Sequence, residues 1–155
     1  MKQLTAQGVV LTRTDYGEAD RIVTFLTATT GKVRVMAKGV RKPKSKLAGG
    51  IELFSISDIT YIQGRGDLHT LVSSRLQTHY GNIVKDIDRT MFAYDVLKIL
   101  NKVLEDEGGE DFYQLLVDTL DTLNDLHVPK DLAEAILRLI SSEIARSVRT
   151  MRRSG

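Results

Sequence analysis

The 155 residues suffice for one large domain or two small ones with a usable core, and 42% of them are apolar, an ordinary share for a globular protein. The lack of cysteine excludes disulfides and thiolate metal sites; with no signal-peptide pattern and no bilayer-length apolar run, a cytoplasmic protein is expected. The net charge of +2 hides two opposed halves, with 12 Lys and Arg against 6 Asp and Glu in residues 1–80 and 10 against 14 in residues 81–155.

Residues 4–14 alternate weakly and close at Asp15-Tyr16-Gly17, which predicts a first strand and its turn. Arg21 to Thr27 is β-branched and aromatic-rich, a second strand, and Ala28-Thr29-Thr30-Gly31 turns the chain back. From Gly31 to Lys38 the alternation is clean, with Lys32, Arg34, Met36 and Lys38 on one side and Val33, Val35 and Ala37 on the other, so one face is buried and the wet face is cationic. Gly39 to Lys46 then adds Arg41, Lys42, Lys44 and Lys46 with no acid among them; mutual repulsion predicts an extended, mobile loop. Ile51 to Ile62 reads as a long fourth strand bent by a bulge, Gln63 to Asp67 as a hairpin loop, and Leu68 to Gln77 as a fifth strand.

Five short strands without a helical period predict a small closed barrel, with the OB-fold favoured over an SH3-like barrel. An OB-fold binds oligonucleotides over its second and third strands, between the first and fourth inter-strand loops. Here those are the basic strand, Asp15 to Asp20, and Gly64 to Asp67.

Near Asp86 the period changes from 2 to 3.6. Phe92, Val96, Ile99, Leu100, Val103 and Leu104 form one stripe, and Phe112, Leu115, Leu116, Leu120 and Leu123 a second, on a helix from about Glu110 to Asn124. Pro129 opens a third helix with the stripe Leu132, Ile136, Leu139, Ile140, Ile144 and Val148. The expected fold is therefore α+β, with an OB-fold domain over residues 1–80 and a helical domain with a basic tail over residues 81–155.

The chemistry-bearing residues favour binding over catalysis. His69, His79 and His127 stand apart, without a partner at metal-ligand spacing, and no Ser or Thr has a visible base, so neither catalytic residues nor a metal or other cofactor is expected. Asp15, Glu18 and Asp20 cluster in the first loop, where solvated turn acids outweigh a metal-dependent nuclease. The cationic set Lys32, Arg34, Lys38, Arg41, Lys42, Lys44 and Lys46 is the candidate phosphate-binding strip, and Tyr16 is the candidate for base stacking. Few aromatics accompany them, which favours backbone-driven, sequence-tolerant binding. Arg146, Arg149, Arg152 and Arg153 share a helix face, where a charge–dipole role outranks a second phosphate contact. The rival reading is an adaptor whose acidic helices, at −8 over residues 81–145, dock a partner.

Gly8-Val-Val-Leu11, Asp15 to Thr27 and Gly31 to Leu47 together resemble the amino-terminal part of the bacterial recombination mediator RecO. The resemblance is specific over residues 8–54; in the helical part it extends only to order and rough length. It implies an OB-fold followed by helices, single- and double-stranded DNA binding, annealing of complementary strands, and cooperation with RecR and single-stranded-DNA-binding protein to load RecA. It also implies that Lys38, Arg41 and Lys42, which match the Ala-Lys-Gly-x-Arg-Lys segment, touch DNA. Typical members continue into a cysteine-bearing, often zinc-binding segment, and these 155 residues contain no cysteine.

Overall fold

A computed structural model describes residues 2–104 and 109–125, with Arg138, Ser141, Ser142, Ala145, Arg146, Arg149 and Arg152 beyond them. Five strands, β1 (Gln3–Tyr16), β2 (Asp20–Thr27), β3 (Gly31–Ala37), β4 (Ser55–Ile62) and β5 (Leu68–His79), close into a barrel in the order β1-β2-β3-β5-β4. All neighbours are antiparallel except β3 and β5, which run parallel through Arg34↔Leu68 to Met36↔Thr70. That is the Greek-key closure of an OB-fold, in which β1 pairs with both β2 and β4. The inward set, including Val10, Val23, Phe25, Val33, Val35 and Ile59, fills the barrel. Val33, Val35 and Ala37 are buried while Lys32, Arg34 and Met36 remain partly exposed, as a period of two demands.

In β1 Val9 and Leu11 face the helices and Val10 the barrel interior, so both faces of the alternating strand are buried. One strand expectation needs correction. The fourth strand begins at Ser55 rather than Ile51: Ala48–Gly50 is a 3-10 turn, Ile51 plugs the barrel, and Phe54 has φ 58, a left-handed geometry no continuous strand admits. The Phe54 carbonyl accepts from the Tyr80 amide at 3.0 Å. Register shifts against β5 at Ile56/Ser57 and Thr60/Tyr61 supply the bend expected in β4.

Over the described residues up to Asp125 three helices follow: α1 (Gly81–Lys85), α2 (Ile87–Val103) and α3 (Tyr113–Asp125), the last entered through a 3-10 turn at Glu110–Phe112. The Asp86 carboxylate caps α2, accepting from the amides of Asp88 and Arg89 at 3.0 and 3.4 Å. The buried stripe of α2 is Ala93, Val96, Leu97 and Leu100, rotated from the expected one so that Phe92, Ile99 and Val103 flank it. In α3, Tyr113 joins Leu116, Leu120 and Leu123 in the core, and Leu115 faces outward. The apolar stripe predicted for the third helix lies outside the described residues, as does His127; the described positions from Arg138 to Arg152 are helical.

Barrel and helices share one hydrophobic cluster. Val9, Leu11, Leu26, Phe54 and Ile56, on the outside of the barrel, pack against Tyr80, Ile83, Val96, Leu97, Leu100 and Leu116. Polar contacts bracket this seam: Tyr80 Oη donates to Asp121 Oδ1 at 2.7 Å and Tyr113 Oη to Gln7 Oε1 at 3.2 Å. Burial, then the Asp121 carboxylate, pushes the Tyr80 phenol well above its ordinary value, so it stays protonated and donates. Among the described residues no helix is long and apolar enough to cross a membrane.

Candidate nucleic-acid interface

The outward row of β3 takes its character from what flanks each position. Arg34 lies opposite the buried Thr24, and Met36 opposite the half-buried Ile22, on the side of β2 and β3 that faces away from the barrel core. At one end, the parallel pairing of Arg34 with Leu68 brings the β4–β5 loop alongside. At the other, Ala37 pairs with Arg21, next to the β1–β2 turn. The two loops an OB-fold uses for binding therefore frame this face.

Beyond β3 the cationic segment is not the extended, mobile loop that repulsion alone predicts. It is a run of turns held by backbone hydrogen bonds: Arg41 N–H to the Ala19 carbonyl (2.9 Å), Lys42 N–H to Gly39 (3.1 Å) and Ser45 N–H to Lys42 (3.1 Å). Asp20 Oδ1 accepts from the Gly39 amide at 2.7 Å, Val40 is buried in the barrel core, and Ser74 Oγ donates to the Leu47 carbonyl at 2.7 Å. Gly39, at φ +66, makes the reversal that an L side chain would strain. Each bond adds on the order of 1 kcal/mol, and Val40 burial adds about 1.5–3; surface repulsion at physiological salt is weaker than their sum.

Arg41 fastens this segment to the β1–β2 turn. Its Nε donates to the Asp20 carbonyl at 3.2 Å and its Nη2 to those of Tyr16 and Gly17, while Nη1 lies 3.7 Å from Asp15 Oδ2. Asp15 also receives the Arg21 guanidinium at 2.8 Å. That hydrogen bond, and then the nearby arginine charges, outweigh desolvation and hold the Asp15 carboxyl below its ordinary value. Asp15 and Asp20 are thus engaged by arginines and a backbone amide, and among the described residues Asp15, Glu18 and Asp20 form no group able to hold a metal ion.

The seven cations of the predicted strip sort into three situations. Lys38, Lys42, Lys44 and Lys46 are exposed, and no hydrogen bond or ion pair engages their ammonium groups among the described residues. Arg34 pairs with Asp67 at 3.1 Å and Arg41 acts as the clamp just described. Lys32 is turned to the helices: its Nζ donates to the carbonyls of Asn101 and Leu104, at 2.9 and 3.0 Å, at the end of α2. The ammonium of Lys32 therefore belongs to the seam.

Tyr16 sits on the β1–β2 turn with 55% of its surface exposed, directly beside the Arg41 clamp. Sequence reasoning overlooked Arg65, exposed at the tip of the β4–β5 loop, and the pairing of Arg34 with Asp67. The signal for both lay in Gly64-Arg65-Gly66-Asp67, a loop already expected to border the groove. Of the terminal arginines, Arg146, Arg149 and Arg152 are helical and exposed, and Arg153 lies outside the described residues.

Comparison with known proteins agrees with this architecture. The family model described as "Recombination protein O N terminal" matches residues 1–80. A protein named DNA repair protein RecO from Desulfatibacillum aliphaticivorans is 36% identical over 134 residues, covering 84% of this chain and 52% of that protein. Proteins of the same name from Acetivibrio thermocellus and Moorella thermoacetica are 33% and 34% identical, over 77% and 78% of this chain and 48% and 45% of their own. The chain spans about half the length of the curated relatives it matches.

Proposed function

On the premise that this chain belongs to the recombination protein O family, whose amino-terminal model covers the whole barrel, we propose that it binds single- and double-stranded DNA and promotes annealing of complementary strands in recombinational repair. The observation that carries the reading is the set of ammonium groups on Lys38, Lys42, Lys44 and Lys46, unpaired among the described residues and presented on a hydrogen-bonded turn beside the barrel's outward β2–β3 face. Four lysines screen consecutive phosphates and release their counterions, which lowers the repulsion between two strands brought side by side. No bond is made or broken, so the reading needs neither nucleophile nor cofactor.

Phosphate contacts fix the strand without reading its sequence, and Tyr16 supplies an exposed ring on which an unpaired base stacks. In the cell this activity works alongside RecR and single-stranded-DNA-binding protein in the loading of RecA, partners the family resemblance suggests. The test is annealing of two complementary fluorescently labelled oligonucleotides at low salt. The expected result is acceleration by the protein that vanishes when Lys38, Lys42, Lys44 and Lys46 are all replaced by Ala. Equal acceleration by the replaced protein would overturn the reading.

An adaptor role has one observation in its favour: Ile87, Met91 and Tyr94 stand exposed along one side of α2, among helices rich in acids. It predicts that DNA affinity is negligible and indifferent to the four lysines, which the same assay reads.

A further inference from the structure

Arg34 is the one cation of the strip that is both on the open face of β3 and already paired. Its partner comes from the β4–β5 loop: Arg34 Nη1 lies 3.1 Å from Asp67 Oδ2, and both side chains are well exposed, at 36% and 49%. The contact is held in place by the sheet, because Asp67 precedes Leu68, the β5 residue that pairs with Arg34. On the loop side, the Gly64 amide donates to His69 Nδ1 at 3.0 Å, and Gly66 takes φ +72, so the carboxylate is delivered by a folded loop. A carboxylate oxygen on a guanidinium offers the same charge and acceptor geometry as a phosphodiester oxygen.

The contrast with Arg41 separates a placeholder from a fixture. Arg41 also faces a carboxylate, Asp15, but it donates to three backbone carbonyls as well, and leaving them would strand acceptors. Among the described residues Arg34 makes no second hydrogen bond, and an exposed pair of this kind contributes little to stability. Its carboxylate can therefore be exchanged for another anion at small cost. Arg65, exposed two residues before Asp67, adds a cation on the same loop that draws a polyanion toward the exchange.

We infer that Asp67 occupies the phosphate subsite of Arg34 in the unliganded protein, and that a DNA phosphodiester displaces it when the strand crosses the barrel. This rests on the DNA-binding reading above and adds to it a subsite outside the lysine turn, whose occupancy is set by an internal competitor. Asp67 thereby weakens binding at the barrel face and makes the affinity of that face adjustable by one side chain.

The test is a salt titration of the full chain against a labelled single-stranded oligonucleotide, followed by fluorescence anisotropy. Asp67→Asn and Asp67→Ala are compared with Glu18→Gln, which removes the same charge from an exposed carboxylate on the β1–β2 turn that has no partner among the described residues. Each Asp67 variant is expected to bind about three- to tenfold tighter than Glu18→Gln at an equal log–log salt slope, because Arg34 neutralises the same phosphate once the strand is bound in either protein. Adding Arg34→Ala to either variant is expected to abolish the gain, and Arg34→Ala alone to make the slope shallower by about 0.7, the loss of one neutralised phosphate. Thermal unfolding midpoints should match throughout, since the pair is exposed. If the unaltered protein binds and the Asp67 variants behave like Glu18→Gln, or keep their gain without Arg34, the placeholder is wrong while the DNA-binding reading stands. If the unaltered protein does not bind at all, both fall together.

Discussion

Lys32 and Lys38 lie six residues apart, the first on β3 and the second just past its end, and their surroundings give them opposite work. Lys32 sits where α2 ends, and its ammonium donates to two carbonyls there. Lys38 sits where the strand runs out past the β1–β2 turn, and nothing among the described residues engages its ammonium. One strand thus joins the barrel to the helices at its first end and opens to solvent at its last. A row of like charges does not make a binding surface until the fold has decided which of them it needs for itself.

The strongest way to break this comparison acts on the open end. Replacing Lys38, Lys42, Lys44 and Lys46 together by Ala should lower affinity for single-stranded DNA by roughly a hundredfold or more at 50 mM salt. The denaturation midpoint should not move, because none of the four holds the structure; a large drop in stability would place them in the fold instead.

At the joined end the effects should be exchanged. Lys32→Ala removes the ammonium's hydrogen bonds to two carbonyls at a helix terminus, and chemical denaturation should read a loss of about 2 kcal/mol. The salt slope of DNA binding should remain that of the unaltered protein. A change of slope without loss of stability would return Lys32 to the strip.

Tyr16→Ala should cost about 1 kcal/mol on single strands and nothing on duplex, since only an unpaired base offers a face to stack on. Tyr16→Phe should retain the affinity, which anisotropy on the two substrates would establish.

The smallest effects are those of pH, and they fall at opposite ends of the scale for the two regions. The Asp15 carboxyl is depressed by the Arg21 hydrogen bond, so its contribution is fully present above the ordinary value of 3.8 and is lost as pH falls through the lowered one. Protection of the Gly39 and Arg41 amides against hydrogen exchange should decline there, while the seam holds. The Tyr80 phenol is raised by burial and Asp121, so its contribution is complete below pH 10.0 and is lost as pH climbs toward the raised value. Tyr80→Phe should remove that alkaline component from the stability profile.

The parts of the fold legible in the sequence were those set by local period. The alternation of Val33, Val35 and Ala37 with Lys32, Arg34 and Met36 gave β3 and both its faces, and the turn residues at Asp15 to Gly17 and Thr29 to Gly31 gave its neighbours. Five residues of α1 are too few to display a helical period, and the apolar run after Gly50 looked like strand because nothing local betrays the left-handed backbone of Phe54. The shape of the cationic turn was illegible for a different reason. The groups that fold it, Ala19, Asp20 and the barrel cavity that receives Val40, lie elsewhere in the chain, and only the charges are written in the segment itself. Composition likewise places seven cations in one stretch, but the contacts that occupy Lys32 lie 69 and 72 residues away.

The central claim is that lysines left unpaired by the fold neutralise phosphates. Affinity of the full chain for a single-stranded oligonucleotide, measured against salt concentration, counts those phosphates directly. The four lysines contribute about −3 to the log–log slope, from roughly −0.7 per phosphate, and that share should disappear when all four are replaced. A slope near zero in the unaltered protein, or one that the replacement leaves unchanged, would contradict the account.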